Sequence, residues 1–201
     1  CRREIGAALE YMKAVIALAH EHEFVYYVSG GLCFQRLFLA EQGAPVDLSR
    51  LLEAVAAWKG GEIRYGFGAF YVSLARIYYT CGQIGAGLQV LDEALTTIDT
   101  MTVRFYEAEV YRTRGVFLLH PEALDVRQAE DCFQRACAIA AHQHAKGWEL
   151  RAVVSLSRLW HQQGKHLAAR QRLEHVYGWF TEGFETPDVR EAQALLNVLA
   201  R

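Results

Sequence analysis

Proline is scarce in this sequence, and where it occurs it punctuates. Pro45, Pro121 and Pro187 are the only three in 201 residues. A residue without an amide donor belongs at breaks between helices rather than inside them. Long hydrophobic runs are missing too. No stretch reaches eighteen uninterrupted apolar residues, and the most tempting one, Ala14 to Ala19, is closed off by Lys13 and His20. That excludes a helical membrane span on sequence grounds, and no secretory signal is visible. A surplus of positive charge is absent: 21 Lys and Arg face 23 Asp and Glu, for a net charge of -2. Direct nucleic-acid binding, which calls for a basic stripe, gains no support. Cysteine lacks the pattern of a disulfide framework, since Cys1, Cys33, Cys81, Cys132 and Cys137 are odd in number and unpaired in spacing. They are expected to be buried structural thiols of a protein in a reducing cytoplasm.

What is present is a recurring helical hairpin. Tyr71-x2-Leu74-Ala75-x2-Tyr78 returns as Tyr111-x2-Arg114-Gly115-x2-Leu118 and again as Val153-x2-Leu156-Ser157-x2-Trp160. Each copy is followed by a second helical stretch. Gly82 and Gly164 stand 82 residues apart, or two units of 41. With 52% hydrophobic residues against 22% charged, a stacked core can be buried. Such a unit cannot cover its own apolar face and leans on its neighbours.

The spacing predicts a first helix from about Arg3 to His22, taken as the second half of a unit, because the chain opens on Cys1 and reads as a fragment of something longer. A second segment, Phe24 to Gln42, is expected to be interrupted at Gly30-Gly31 and to stop at Gly43-Ala44-Pro45. Its partner helix carries Leu51, Leu52, Val55 and Trp58. The clearest pair follows, Tyr65 to Cys81 and Ile84 to Thr100, with Ala75 and Gly87 allowing close approach. A third runs from Arg104 to Leu119 and, after an Asp125 cap, from Val126 to Ala145. The fourth spans Trp148 to Gln163 and His166 to Phe180. In the last helix Thr186 is expected to cap, Pro187 to fill the first turn and Glu191 to favour the dipole. The approximate units are thus a half unit over 1–22, then 23–60, 65–100, 104–145 and 147–181, with a cap over 187–201.

Ala129-x3-Phe133-x2-Ala136 matches the alanine and aromatic spacing in the second helix of tetratricopeptide units. The expected fold is therefore all-α, a tetratricopeptide-like right-handed α-solenoid of antiparallel helical pairs with a C-terminal capping helix. The C-terminal half carries a more specific likeness. Ala129-Glu130-Asp131-Cys132-Phe133-Gln134-Arg135-Ala136, Trp148-Glu149-Leu150-Arg151-Ala152 and Ser155-Leu156-Ser157-Arg158-Leu159-Trp160 occur in order. They are followed by the run from Val176 through Tyr177-Gly178-Trp179-Phe180 to Asp188. Together they resemble the C-terminal tetratricopeptide-like region of bacterial AAA- or STAND-type signalling ATPases, in which a class III adenylate or guanylate cyclase domain, or a regulator domain, often precedes the ATPase. The resemblance implies an interaction or sensor module. The phosphate-loop pattern G-x-x-x-x-G-K-[ST] does not occur in this chain, and Gly66-x-Gly68 is a poor substitute.

Catalysis finds little footing. His20-x-His22 and His142-x-His144 point about 200° apart on a helix and cannot chelate within it. His161, His166 and His175 have no acidic companions at ligand spacing. Ser73, Ser155 and Ser157 lie in helix interiors rather than on a strained elbow. The reading is a non-enzyme without a metal or cofactor.

The first helices of the pairs, which line the inner groove in this kind of stack, offer more. Arg76 and Tyr79 stand in the second pair, Arg112 in the third, and Arg151, Arg158, His161 and Gln162 in the fourth. Arg76, Arg112 and Arg158 form a ladder of guanidinium groups suited to acidic side chains or a carboxylate terminus. The competing reading has these arginines pairing with Glu107, Glu109 or Glu149. The expected partner is a protein or peptide, the protein's own upstream ATPase or cyclase domains included, with no direct nucleic acid and no membrane. The alternative is a small-molecule effector in the same groove. Tyr177, Trp179, Phe180 and Phe184 are expected to seal the end of the stack.

Overall fold

Helix signals recur along the chain, and helices are what form. A computed structural model describes residues 5–44, 47–49, 51–53, 67–101 and 103–200. Among them all regular structure is helical. The helices are α1 (Ile5–Glu21), α2 (Val25–Glu41), α3 (Phe67–Thr80), α4 (Ile84–Met101), α5 (Glu107–Leu118), α6 (Val126–His142), α7 (Lys146–Gln162), α8 (His166–Tyr177) and α9 (Pro187–Leu199). The expected helix around Val55 and Trp58 lies mostly outside the described residues.

Each helix packs first on its chain neighbour: α1 on α2, α3 on α4, α5 on α6, α7 on α8. The first helices of successive pairs also touch, α3 with α5, α5 with α7, and α7 with α9. This is the α-solenoid expected from the repeat. One apolar cluster joins α2, α3, α4 and α5 around Leu37, Phe70, Leu91 and Phe117. A second joins α5 to α9 around Phe133, Leu150, Leu173 and Ala192. Ser157, fully buried, donates its hydroxyl to the Ala169 carbonyl at 3.1 Å and ties α7 to α8.

The tight turns share one geometry. At Gly43, Gly82 and Gly164 the chain enters the left-handed region, with φ of 86°, 72° and 77°. The next amide then closes back on the helix: Gln83 N to Tyr78 O at 2.8 Å, Lys165 N to Trp160 O at 2.8 Å. This satisfies carbonyls that the helix end leaves open. Glu23 and His144 hold the same conformation without glycine, at φ of 56° and 53°. A break is thus made at both positions without the residue that announces one.

Asp125 caps α6 as expected, accepting from the Gln128 amide at 2.8 Å. Several other expectations are corrected. Gly30-Gly31 does not interrupt α2; the helix runs through both, and each is buried. A β-carbon on Gly31 would stand 2.7 Å from Ile16 Cγ1, so this glycine serves the contact of α2 with α1 rather than a break. Thr186 occupies the N-cap position of α9 but donates its hydroxyl to Gly183 O at 2.6 Å and caps nothing. Asp188, not Glu191, is the acidic residue in the first turn of α9.

The aromatic run also behaves differently from expectation. Tyr177 and Phe180 pack on the core, but Trp179 and Phe184 are exposed. They sit in the turns beyond α8, and the end of the stack is closed instead by Val189, Ala192, Leu195 and Leu199 on one face of α9. Among the cysteines, Cys33, Cys132 and Cys137 are buried while Cys81, placed in the turn before Gly82, is exposed. Burial pushes the Cys33 thiol up to about 11 and the Cys137 thiol up to about 12, which keeps both protonated and inert at neutral pH.

Candidate functional site

Stacking sets the first helices side by side, so residues at related positions on α3, α5, α7 and α9 face a common groove. It encloses about 390 Å³ and is lined by Tyr79, Arg112, Val116, Leu119, Phe133, Arg151, Val154, Ser155, Arg158, Leu159, Gln162, Asp188 and Glu191. One small residue shapes its floor. A β-carbon on Gly115 would lie 2.5 Å from the Phe133 ring, so only glycine lets that ring lie flat beneath α5. Tyr79 meets the Phe117 ring edge-on at 5.1 Å and the His120 ring at 5.4 Å, which fixes one wall.

Beside the groove lies a buried carboxylate, Glu109, with its side chain 1% exposed. Arg112, one turn on in α5, grips it through two bonds, Nε to Oε2 and Nη2 to Oε1, both 2.8 Å. Arg76 arrives from α3 and Arg151 from α7, each placing Nη2 2.8 Å from the same Oε1. One carboxylate therefore clamps three guanidinium groups from three successive first helices. Burial alone would push the Glu109 carboxyl up, but the Arg112, Arg151 and Arg76 charges outweigh it and hold it down at about 2. Burial likewise works against the Arg112 guanidinium, and Glu109 more than compensates, leaving it raised. Arg151 fares worse: burial draws it down to about 10, an effect that the Glu109 charge opposes without overcoming and to which Arg112 adds a smaller repulsion. Its guanidinium also lies over the Trp148 ring, 5.0 Å from the centroid.

The terminal helix supplies further negative charge. Arg158 donates from Nη1 to Glu191 Oε1 at 2.7 Å. Arg151 Nε makes no hydrogen bond and stands 3.6 Å from Asp188 Oδ1. Arg112 Nη1 reaches Ser155 Oγ at 3.4 Å.

Of the seven residues singled out from sequence, Tyr79, Arg112, Arg151, Arg158 and Gln162 line the groove together. Arg76 is not part of the lining but joins the cluster through Glu109. His161 is elsewhere, its Nδ1 2.7 Å from that of His166 at the α7–α8 turn. The ladder has a different membership from the one expected. Arg151, not Arg158, joins Arg76 and Arg112, because Glu109 draws it inward, while Arg158 lies two turns farther along α7. Glu107 faces away and pairs with Arg104 at 2.9 Å, and Glu149 pairs with Lys146 at 2.6 Å. Sequence reasoning weighed Glu109 only as a possible surface partner and missed Asp188 and Glu191 as groove residues. Among the described residues no three His, Cys, Asp or Glu side chains are grouped to hold a metal ion. No helix among them is long and apolar enough to cross a membrane.

No protein-family model matches this chain, and no curated protein matches it by sequence. Solved structures do. A crystal structure of nearly identical TPR-like repeats of a putative kinesin light chain from Podosopora anserina aligns with a TM-score of 0.54 and 19% identity over 95% of this chain and 86% of that one. A point variant of the same repeats gives a TM-score of 0.57 and 17% identity over 87% and 86%. At such identities the likeness is one of fold. The chain has the fold of a tetratricopeptide-like α-solenoid.

Proposed function

We propose that this chain is a protein-interaction module that takes a peptide segment of a partner into the groove between its first helices. The observation that supports this reading is the groove itself: guanidinium groups of Arg112, Arg151 and Arg158 beside apolar Val116, Val154 and Leu159. That combination suits an acidic side chain flanked by an apolar residue. Glu109 fixes the rotamers of Arg112 and Arg151 before any ligand arrives, so little ordering entropy remains to be lost on binding. A volume of about 390 Å³ is also compatible with a small-molecule effector. The exposed Arg158 and Gln162 at its mouth favour a segment that continues out of the groove.

The wider setting we propose rests on the residues of the C-terminal half: a regulatory module of a bacterial signalling ATPase, whose partner segment belongs to upstream ATPase or cyclase domains. A nucleotide-binding module encoded upstream of Cys1 would support it, and a gene without one would remove it. The groove reading has its own test. A displayed library of capped ten-residue peptides is selected on the wild-type chain and on Arg158→Glu. We expect enrichment on the wild type and at least a tenfold affinity loss on the variant. Enrichment that ignores the charge reversal would refute the groove.

A further inference from the structure

The groove is not a uniformly basic trough. Arg112, Arg151 and Arg158 share its lining with Asp188 and Glu191, both delivered by α9. Arg158, half exposed, is already matched by Glu191 at 2.7 Å, and Glu191 is itself 25% exposed. Farther in, the side chain of Arg151 is 5% exposed, yet its Nε is left without a hydrogen bond beside Asp188. The arginines that a ligand carboxylate would meet thus stand in the company of fixed carboxylates.

A ligand bearing only negative charge must either take Arg158 from Glu191 or settle next to it, and like charges in a partly desolvated groove repel strongly. A ligand carrying a cation close to its carboxylate meets no such penalty. Its carboxylate lies on Arg158 and its cation on Glu191, so that the four charges alternate. We infer that Glu191 is a specificity-determining residue, and that the groove selects a peptide segment with an acidic and a basic side chain close together rather than a purely acidic one. This inference rests on the peptide-groove reading and narrows its ligand class.

The probe is the same library of capped ten-residue peptides, selected on wild type, Glu191→Gln and Arg158→Ala. On the wild type, enriched peptides should pair an acidic with a basic residue within four positions. On Glu191→Gln, binding should persist while enrichment of basic residues falls at least fivefold, and Arg158→Ala should abolish the acidic preference. Enrichment of purely acidic peptides on the wild type would overturn the inference, as would an unchanged basic preference on Glu191→Gln. In both cases sensitivity to Arg158→Ala would leave the groove reading standing. Failure of the wild type to enrich any peptide would overturn both. Thermal melts by circular dichroism check folding of the variants, and should Glu191→Gln unfold, the wild-type composition decides alone.

Discussion

Glu109 is a carboxylate with three arginines and almost no water, and its replacement strands those arginines. Glu109→Gln keeps the shape of the side chain but leaves Arg112 and Arg151 buried beside a neutral amide. Breaking a buried pair by removing one partner costs about 3–5 kcal/mol, because the remaining charge is left uncompensated. Urea denaturation should show a loss of that order. The pH dependence has a definite sign. Glu109 is held at about 2 in the folded chain against an ordinary 4.5, so its contribution is complete above pH 4.5 and is lost as pH falls from there toward 2. The charges facing it are Arg76, Arg112 and Arg151, with Asp188 beyond Arg151. Over that window the wild type should lose stability more steeply than Glu109→Gln, and parallel acid titrations would disprove the assignment.

At the scale of the element, glycine decides how closely helices approach. In α4, Gly85 and Gly87 are two residues apart and have opposite surroundings. A β-carbon on Gly85 meets nothing within 4 Å, whereas one on Gly87 would run into the buried Phe117 ring of α5. Gly85→Ala should therefore stabilise by roughly 0.5–1 kcal/mol through helix propensity and unfolded-state entropy. Gly87→Ala should destabilise by about 1–3 kcal/mol through overpacking. Thermal melts moving in the same direction would contradict this account of the interface. The pairing of helices was legible from sequence because Gly82, Gly164 and Asp125 each have a local reason to end or begin a helix. Glu23 and His144 make the same turn without a compositional mark, and Gly30-Gly31 bear a break's mark although the helix runs through both and Gly31 packs on Ile16. The groove arginines could be read from helical spacing. Glu109 is one of three partners that spacing offers them, three residues before Arg112 on the same helix. That it gathers Arg76 and Arg151 as well, across 33 and 42 residues of sequence, could not be read, and the α9 carboxylates depend on how the last helix crosses α7.

Across the whole molecule, stability is distributed along the stack. Helix α8 packs on α7 and α9, while α3 and α4 belong to a separate apolar cluster, with Leu88 touching both clusters near the seam. A chain built this way opens unit by unit, since each interface is a nearest-neighbour term. Leu173 on α8 is fully buried, and Leu173→Ala should cost about 2–5 kcal/mol of local packing. The damage should be confined. Hydrogen exchange followed by mass spectrometry should speed up in α8 and α9, and in α7 to a lesser degree, while α3 and α4 keep their wild-type protection. Equal acceleration in α3, α4, α8 and α9 would mean that the chain opens as one cooperative body. In the expected case α9 loosens together with α8, carrying Asp188 and Glu191 with it. Leu173→Ala should then weaken charge selection in the groove while leaving the Glu109 clamp intact, coupling the stability of the stack's end to what its groove admits.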